Sequence, residues 1–176
     1  MYEVRKSEKF KKGLHDLCKY IGKTHDTKEL SILEIGSFAG ESTSILAQYF
    51  GKVYAVEPFR QDLYHVSMQP FKASQAEKDF DVRTGKLKNV IKIKNTSIGY
   101  ANKCNETFDV IYIDGCHDYD FVKADIITWS PKIKLFVCGH DYLPLHNGVI
   151  KAVNEIYGKP DVVFCDFSWL KKVVKK

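Results

Sequence analysis

The sequence predicts an α/β fold with helices on both faces of a mostly parallel sheet, and three observations predict it. Short apolar runs alternate with helix-like stretches along the chain, the mark of repeated strand–helix–strand units. One run, Phe108 to Asp114, is almost continuously apolar, as a strand buried on both faces must be. Where the first run gives way to a helix, Gly36 and Gly40 form a turn. Glycine tolerates the dihedrals of such a turn and lets a ligand approach the backbone.

Each element follows in order. Residues 5–22 read as an amphipathic helix, with Phe10, Leu14, Leu17, Cys18 and Ile21 at helical spacing and Gly22 as the stop. Leu30 to Phe38 is the first strand, Glu41 to Phe50 the first crossover helix, and Lys52 to Phe59 the second strand, closed by Pro58. Residues 60–88 are polar, with Pro70 and Gly85 as breakers and a helix over Ser74 to Phe80. Val90 to Ser97 is a third strand and Ile98 to Lys103 a short helix. Phe108 to Asp114 is the fourth strand. Tyr119 to Trp129 is a helix with Phe121, Val122, Ile126 and Trp129 on one side, ended by Pro131. Ile133 to Gly139 is the fifth strand, and Gly148 to Tyr157 a helix. Val162 to Phe167 and Trp169 to Val174 form a closing pair of strands. The sum is a Rossmann-like three-layer sandwich: a mostly parallel seven-stranded sheet with an antiparallel C-terminal strand. It forms one domain over 1–176, with an N-terminal helix in 1–22, a cofactor-binding core over 30–158 and the closing pair in 159–176.

Bulk properties narrow the function. A length of 176 residues suits one core. No apolar run reaches the roughly 20 residues that span a bilayer, and the N-terminus lacks the apolar stretch of a signal peptide. The expectation is a cytoplasmic protein without a membrane partner. The net charge of +5 comes almost wholly from lysine, since Arg5, Arg60 and Arg83 are the only arginines. Nucleic-acid sites favour arginine with exposed aromatics, so solvated lysine faces are expected and a nucleic-acid partner is not. The five cysteines are odd in number and none has C-x-x-C spacing. They are expected to be reduced, with Cys138 and Cys165 inside apolar strands.

Two constellations carry chemistry. The first is Glu34-Ile35-Gly36-Ser37-Phe38-Ala39-Gly40, followed about twenty residues on by Glu57 at a strand end. Glu57 is placed to accept hydrogen bonds from a ribose diol. The spacing is E-x-G-x-x-x-G, not the dinucleotide G-x-G-x-x-G. An acid beside the turn disfavours a pyrophosphate and suits a cofactor with positive charge and no phosphate, such as S-adenosylmethionine. The second constellation lies at the ends of the fourth and fifth strands: Asp114-Gly115-Cys116-His117 and Gly139-His140-Asp141. If those strands are neighbours, Asp114, His117, His140 and Asp141 share one pocket. Its oxygen donors suit Mg²⁺, and its imidazoles admit Mn²⁺ or another first-row ion. Tyr119 and Lys123 match the Y-x-x-x-K of short-chain dehydrogenases, but Gly40 is followed by Glu41-Ser42 and the third glycine of that class is missing.

These residues resemble the class I S-adenosylmethionine-dependent methyltransferases, most closely methyltransferase family 24 with its catechol-type and macrolide-sugar O-methyltransferase relatives. The resemblance rests on residues 33–43, on Ile113 to Tyr119 with Asp125, and on Gly139 to Tyr142 with Gly148, Val149, Ala152 and Val153. It implies that Glu34, Gly36, Ser37, Phe38, Gly40 and Ser42 surround the methionine part of the cofactor. Glu57 then takes the ribose, Thr96 or Ser97 lies near the adenine, and Asp114 borders both cofactor and acceptor. It implies a divalent metal on Asp114 and Asp141, with His140 beside them where some relatives carry an aspartate, and His117 as base or substrate ligand. The chain departs from its relatives in having Cys138-Gly139 where they have Gly-Gly. The expected reaction is methylation of a hydroxyl on a small molecule or sugar. The alternatives are a non-catalytic S-adenosylmethionine-binding module and a dehydrogenase-like NAD(P) enzyme. The short chain leaves room for a homodimer partner to complete the site.

Overall fold

A computed structural model describes residues 1–2, 8–64 and 70–173. Residues 5–7 of the expected first helix and Val174 of the expected last strand lie outside that set. Among the described residues the helices are α1 (Glu8–Gly22), α2 (Glu41–Tyr49), α3 (Ala73–Thr84), α4 (Ser97–Ala101), α5 (Tyr119–Trp129) and α6 (Asn147–Tyr157). The strands are β1 (Ser31–Ile35), β2 (Lys52–Val56), β3 (Val90–Ile93), β4 (Phe108–Ile113), β5 (Ile133–Gly139), β6 (Val162–Val163) and β7 (Trp169–Lys172). They form a seven-stranded sheet in the order β3-β2-β1-β4-β5-β7-β6. Strands β1 to β5 are mutually parallel, and β7 runs antiparallel to both neighbours. No described helix is long and apolar enough to cross a membrane.

Strand alternation sorts the core into two faces. Ile32, Val53, Val110, Tyr112, Phe136 and Cys138 pack with Leu14, Leu17 and Ile21 of α1 and Ile45 and Leu46 of α2. Their sequence neighbours Leu33, Tyr54, Ile111, Ile113 and Val137 pack on the other side with Val122, Ile126 and Trp129 of α5 and Val149 and Val153 of α6. Residues i and i+1 of a strand point to opposite faces, so near-continuous apolar runs serve two helical layers at once. Phe80 and Ala76 of α3 extend the α1–α2 side over Ala55 and Phe59.

Several expectations change. Strand β3 stops at Ile93 because the chain turns at Asn95 and Thr96 Oγ1 accepts the Gly99 amide at 3.0 Å, capping α4. Phe121 is 61% exposed. The buried stripe of α5 is Val122, Asp125, Ile126 and Trp129, a spacing of 0, 3, 4 and 7 that leaves position 121 off the face. Cys165 is exposed. Strand β6 ends after two residues, where Phe167 donates to the Phe164 carbonyl and the Phe164 amide to the Ser168 carbonyl, so Cys165 falls in the β6–β7 turn. Cys138 is buried as expected.

The parallel strands place their C-terminal ends on one edge. Chain direction across the sheet reverses between β1 and β4, the switch point where ligand crevices open. Each strand there continues its ladder into the turn beyond. Gly36 donates to the Val56 carbonyl, Asp114 to Ile35 and His140 to Ile113, at 2.9, 2.8 and 3.1 Å. Three turns carrying the chemistry-bearing residues are thus held in register.

Candidate active site

The turn after β1 is built around glycine. Gly36 has φ +87°, and a Cβ there would lie 2.3 Å from the Asp114 carbonyl oxygen, so the two turns touch through backbone. Gly40 has φ +79° and immediately precedes α2 as its N-cap. Between them Phe38 is also left-handed, with φ 41°, a conformation non-glycine residues adopt rarely and mostly where surroundings enforce it. Here its amide is aimed at Glu57 Oε2, at 3.1 Å.

Glu57 is buried, and its other carboxylate oxygen accepts the Phe59 amide at 3.4 Å. Burial pushes its carboxyl up to about 7, against the pull of those two amides. Glu34 is fully buried on the α2 side of the sheet, where the Thr43 hydroxyl donates to it. It lies behind the turn and is not an open carboxylate. Ser37 is buried, and its hydroxyl has no hydrogen-bond partner among the described residues. Ser42 is buried in the first turn of α2. Thr96 caps α4, and Ser97 Oγ accepts the Trp129 indole N–H at 2.9 Å. Both hydroxyls are therefore engaged within the protein.

Asp114, His117, His140 and Asp141 meet as the β4–β5 adjacency requires. His140 Nδ1 lies 3.1 Å from Asp141 Oδ2 and 3.8 Å from Asp114 Oδ1. His117 Nε2 lies 2.8 Å from Asp141 Oδ2. Burial would raise the Asp141 carboxyl, but hydrogen bonds and charge from His117 and His140 hold it well below the ordinary range. For His117 burial lowers the imidazole pKa, yet the hydrogen bond and charge of Asp141 outweigh it and the net shift is upward. Asp125, beneath Gly115, is pushed up to about 6 by burial.

Other residues join without a mark in the local pattern. His146, in the turn before α6, brings its ring to 4.3 Å from His117 (centroid to centroid) and its Nε2 to 3.8 Å from Asp141 Oδ1. The loop of Pro144 and Leu145 separates it from Asp141 in sequence, so only the fold reveals it. Tyr2 stacks on Phe38 at 5.8 Å, and Phe71 and Tyr64 pack on the same ring, giving the Glu57 end an aromatic rim. Tyr119 and Lys123 bond each other at 2.9 Å and both engage Glu155 of α6, so that pair links two helices.

The donor set fits the expected groups. A backbone cradle closed to any side chain at Gly36, an unsatisfied buried hydroxyl at Ser37 and a buried acceptor at Glu57 suit an adenosyl cofactor without phosphate. Asp114, His140 and Asp141 each offer one ligand atom, all within 4.8 Å of one another, which suits a divalent cation.

Comparison with known proteins identifies the family and the fold. A family model described as a methyltransferase domain matches residues 33–142. No curated protein sequence matches the chain. Among solved structures, the O-methyltransferase NovP aligns with TM-score 0.65 at 13% identity, over 95% of this chain and 80% of that one. The N-methyltransferase NodS from Bradyrhizobium japonicum aligns with TM-score 0.61 at 14% identity, over 94% and 96%. An O-methyltransferase from Bacillus cereus, in complex with SAH, aligns with TM-score 0.57 at 15% identity, over 98% and 93%. At these identities the likeness is one of fold.

Proposed function

The chain belongs to the methyltransferase-domain family matched over residues 33–142, and from that premise we propose that it methylates a hydroxyl of a small molecule or sugar, using S-adenosylmethionine and a divalent cation. The observation that carries this reading is the backbone contact between the Gly36 turn and Asp114. It sets a cofactor cradle directly against a cluster of two carboxylates and two imidazoles.

Bound S-adenosylmethionine would supply an electrophilic methyl group, and Asp114, Asp141 and His140 would hold a cation that would supply Lewis acidity to an acceptor hydroxyl. The chain's own residues do the rest. Glu57, ionised, accepts the ribose hydroxyls, while the Gly36 turn admits the methionine end. His117 takes the acceptor's proton at its imidazole, and Asp141 fixes the ring and stabilises its charged form. Positioning of nucleophile against methyl supplies most of the rate gain.

The fold alone does not choose oxygen over nitrogen, since neighbours of both kinds share it. The carboxylate–imidazole cluster supports oxygen, because a hydroxyl is a weak nucleophile until a base takes its proton, whereas a neutral amine is nucleophilic as it stands. Acceptor screening with radiolabelled S-adenosylmethionine over sugar, phenol and amine panels tests the choice. Transfer to hydroxyls that falls on Asp141→Asn and on chelation supports the proposal. Unchanged activity under both treatments removes the metal from it, and transfer to amines alone removes the hydroxyl.

A further inference from the structure

Asp141 is common to two groups of possible ligands, one with Asp114 and His140 and one with His117 and His146; its Oδ2 meets both His140 and His117, and its Oδ1 faces His146. Asp141 adopts φ +60°, and its carboxylate lies against the loop after β4. There Oδ2 meets His117 Nε2 at 2.8 Å. Oδ1 lies 3.8 Å from His146 Nε2, beyond hydrogen-bond reach. The two imidazole rings stand 4.3 Å apart and tilted by 58°. A hydrogen bond accounts for His117 but not for the approach of His146.

The backbone enforces this convergence from three separate segments. A Cβ on Gly148 would lie 2.5 Å from the His117 carbonyl oxygen and 2.7 Å from the Tyr119 amide, so the start of α6 is pressed onto the loop bearing His117. The Leu143 amide bonds the Asp141 carbonyl at 2.8 Å, and the His146 amide bonds the Leu143 carbonyl at 2.9 Å. These turns fold His146 back over the carboxylate. One ligand atom each from His117, Asp141 and His146 lies within 4.8 Å of the others, and all three residues are partly exposed. An ion can enter, and water can complete its coordination.

We propose that His117, Asp141 and His146 form a site for a borderline first-row transition metal ion such as Zn²⁺, which shares Asp141 with the Asp114 side and differs from it in offering two imidazoles and one carboxylate. Two neutral imidazoles and one carboxylate suit Zn²⁺, Fe²⁺, Co²⁺ or Ni²⁺. Mg²⁺ prefers oxygen ligands in a strict octahedron and is a poor competitor for them. An ion here engages His117 and so withdraws it from the proton-accepting role proposed above. That consequence rests on the methyl-transfer reading; the site itself does not.

Co²⁺ is the probe, because its visible absorption reports the ligand set. Titration of the full chain in the presence of excess Mg²⁺ is expected to give a saturable spectrum at one ion per chain, because two imidazoles favour Co²⁺ over Mg²⁺. Ring nitrogen resonances of both His117 and His146 should shift. A His146→Gln chain should bind at least about tenfold more weakly, since losing even an outer-shell partner costs about 10–100-fold, and His117→Gln should do the same. Melting temperature and SAH binding should hold in His146→Gln. Absence of a saturable spectrum, equal affinity in His146→Gln, shifts confined to His140, or a thiolate charge-transfer band from cysteine would each overturn the site. SAH titrated into the same sample separates the two claims. SAH binding without a Co²⁺ site overturns this inference alone; a Co²⁺ site without SAH binding upholds it and overturns the methyl-donor reading.

Discussion

Burial pushes the Glu57 carboxyl from its ordinary 4.5 up to about 7, and this creates two measurable pH dependences. A carboxyl whose folded pKa lies above its unfolded value favours the native state while protonated. Its stabilisation is complete below 4.5 and is lost as pH rises through about 7. Asp125, raised to about 6, acts in the same direction. The melting temperature of the free protein should therefore carry a falling contribution between pH 5 and pH 8, and Glu57→Gln should flatten it. Cofactor binding has the opposite sign, because a ribose diol donates to the ionised carboxylate. SAH affinity measured by calorimetry should weaken by about tenfold per unit as pH drops below 7, with proton release on binding. The neighbouring turn makes a second prediction. Gly36→Ala imposes a side chain on φ +87° and drives a Cβ to 2.3 Å from a carbonyl. Backbone strain alone costs about 1–3 kcal/mol, so urea denaturation should show at least that loss, together with loss of SAH binding.

The elements bring residues together that the sequence keeps apart. Gly148 packs α6 on the loop after β4, so Gly148→Ala should separate His146 from His117. Contacts between the two rings, read as nuclear Overhauser effects, should vanish in that variant while SAH still binds. Thr96 caps a helix of five residues. Its replacement by alanine should cost about 1 kcal/mol in urea denaturation, as N-cap losses do. What was legible in the sequence follows the same division. The strands β1, β4 and β5, the helix α5 and the turns at Gly36, Asp114 and His140 were all readable, because buried parallel strands are written as continuous apolar runs and their turns as glycine and acid. The early end of β3 was not, since an edge strand carries a weaker apolar signal and the Thr96 cap competes for the same residues. Phe121 misled because hydrophobicity alone does not set the face of a helix; the buried polar Asp125 does as much. His146 was invisible because its role depends on a loop folding back, which no local periodicity records.

At the scale of the whole molecule, one sheet separates two apolar layers that share every central strand. Both layers are built on the same strands, so loss of the sheet removes both cores at once and thermal unfolding should be a single cooperative transition. A ligand held at the switch-point edge stabilises that unit by mass action. SAH at 100 times its dissociation constant should add about 2.7 kcal/mol, visible as a rise of about 5–10 °C in melting temperature for a chain of this size. On the proposed function, the glycine spacing with an acid before it, and not Glu57 alone, is what distinguishes a sulfonium cofactor from a phosphate-bearing one, since a ribose carboxylate serves both. Calorimetric titration of SAH and of NAD(P) into the wild-type chain and into Glu57→Gln tests this most directly. Saturable SAH binding at one site per chain, weakened at least about tenfold by Glu57→Gln, is the expected result, since it costs a charged hydrogen-bond acceptor worth about 1.5–3 kcal/mol. NAD(P) binding with the same dependence on Glu57, or no SAH binding by the folded wild-type chain, would contradict it.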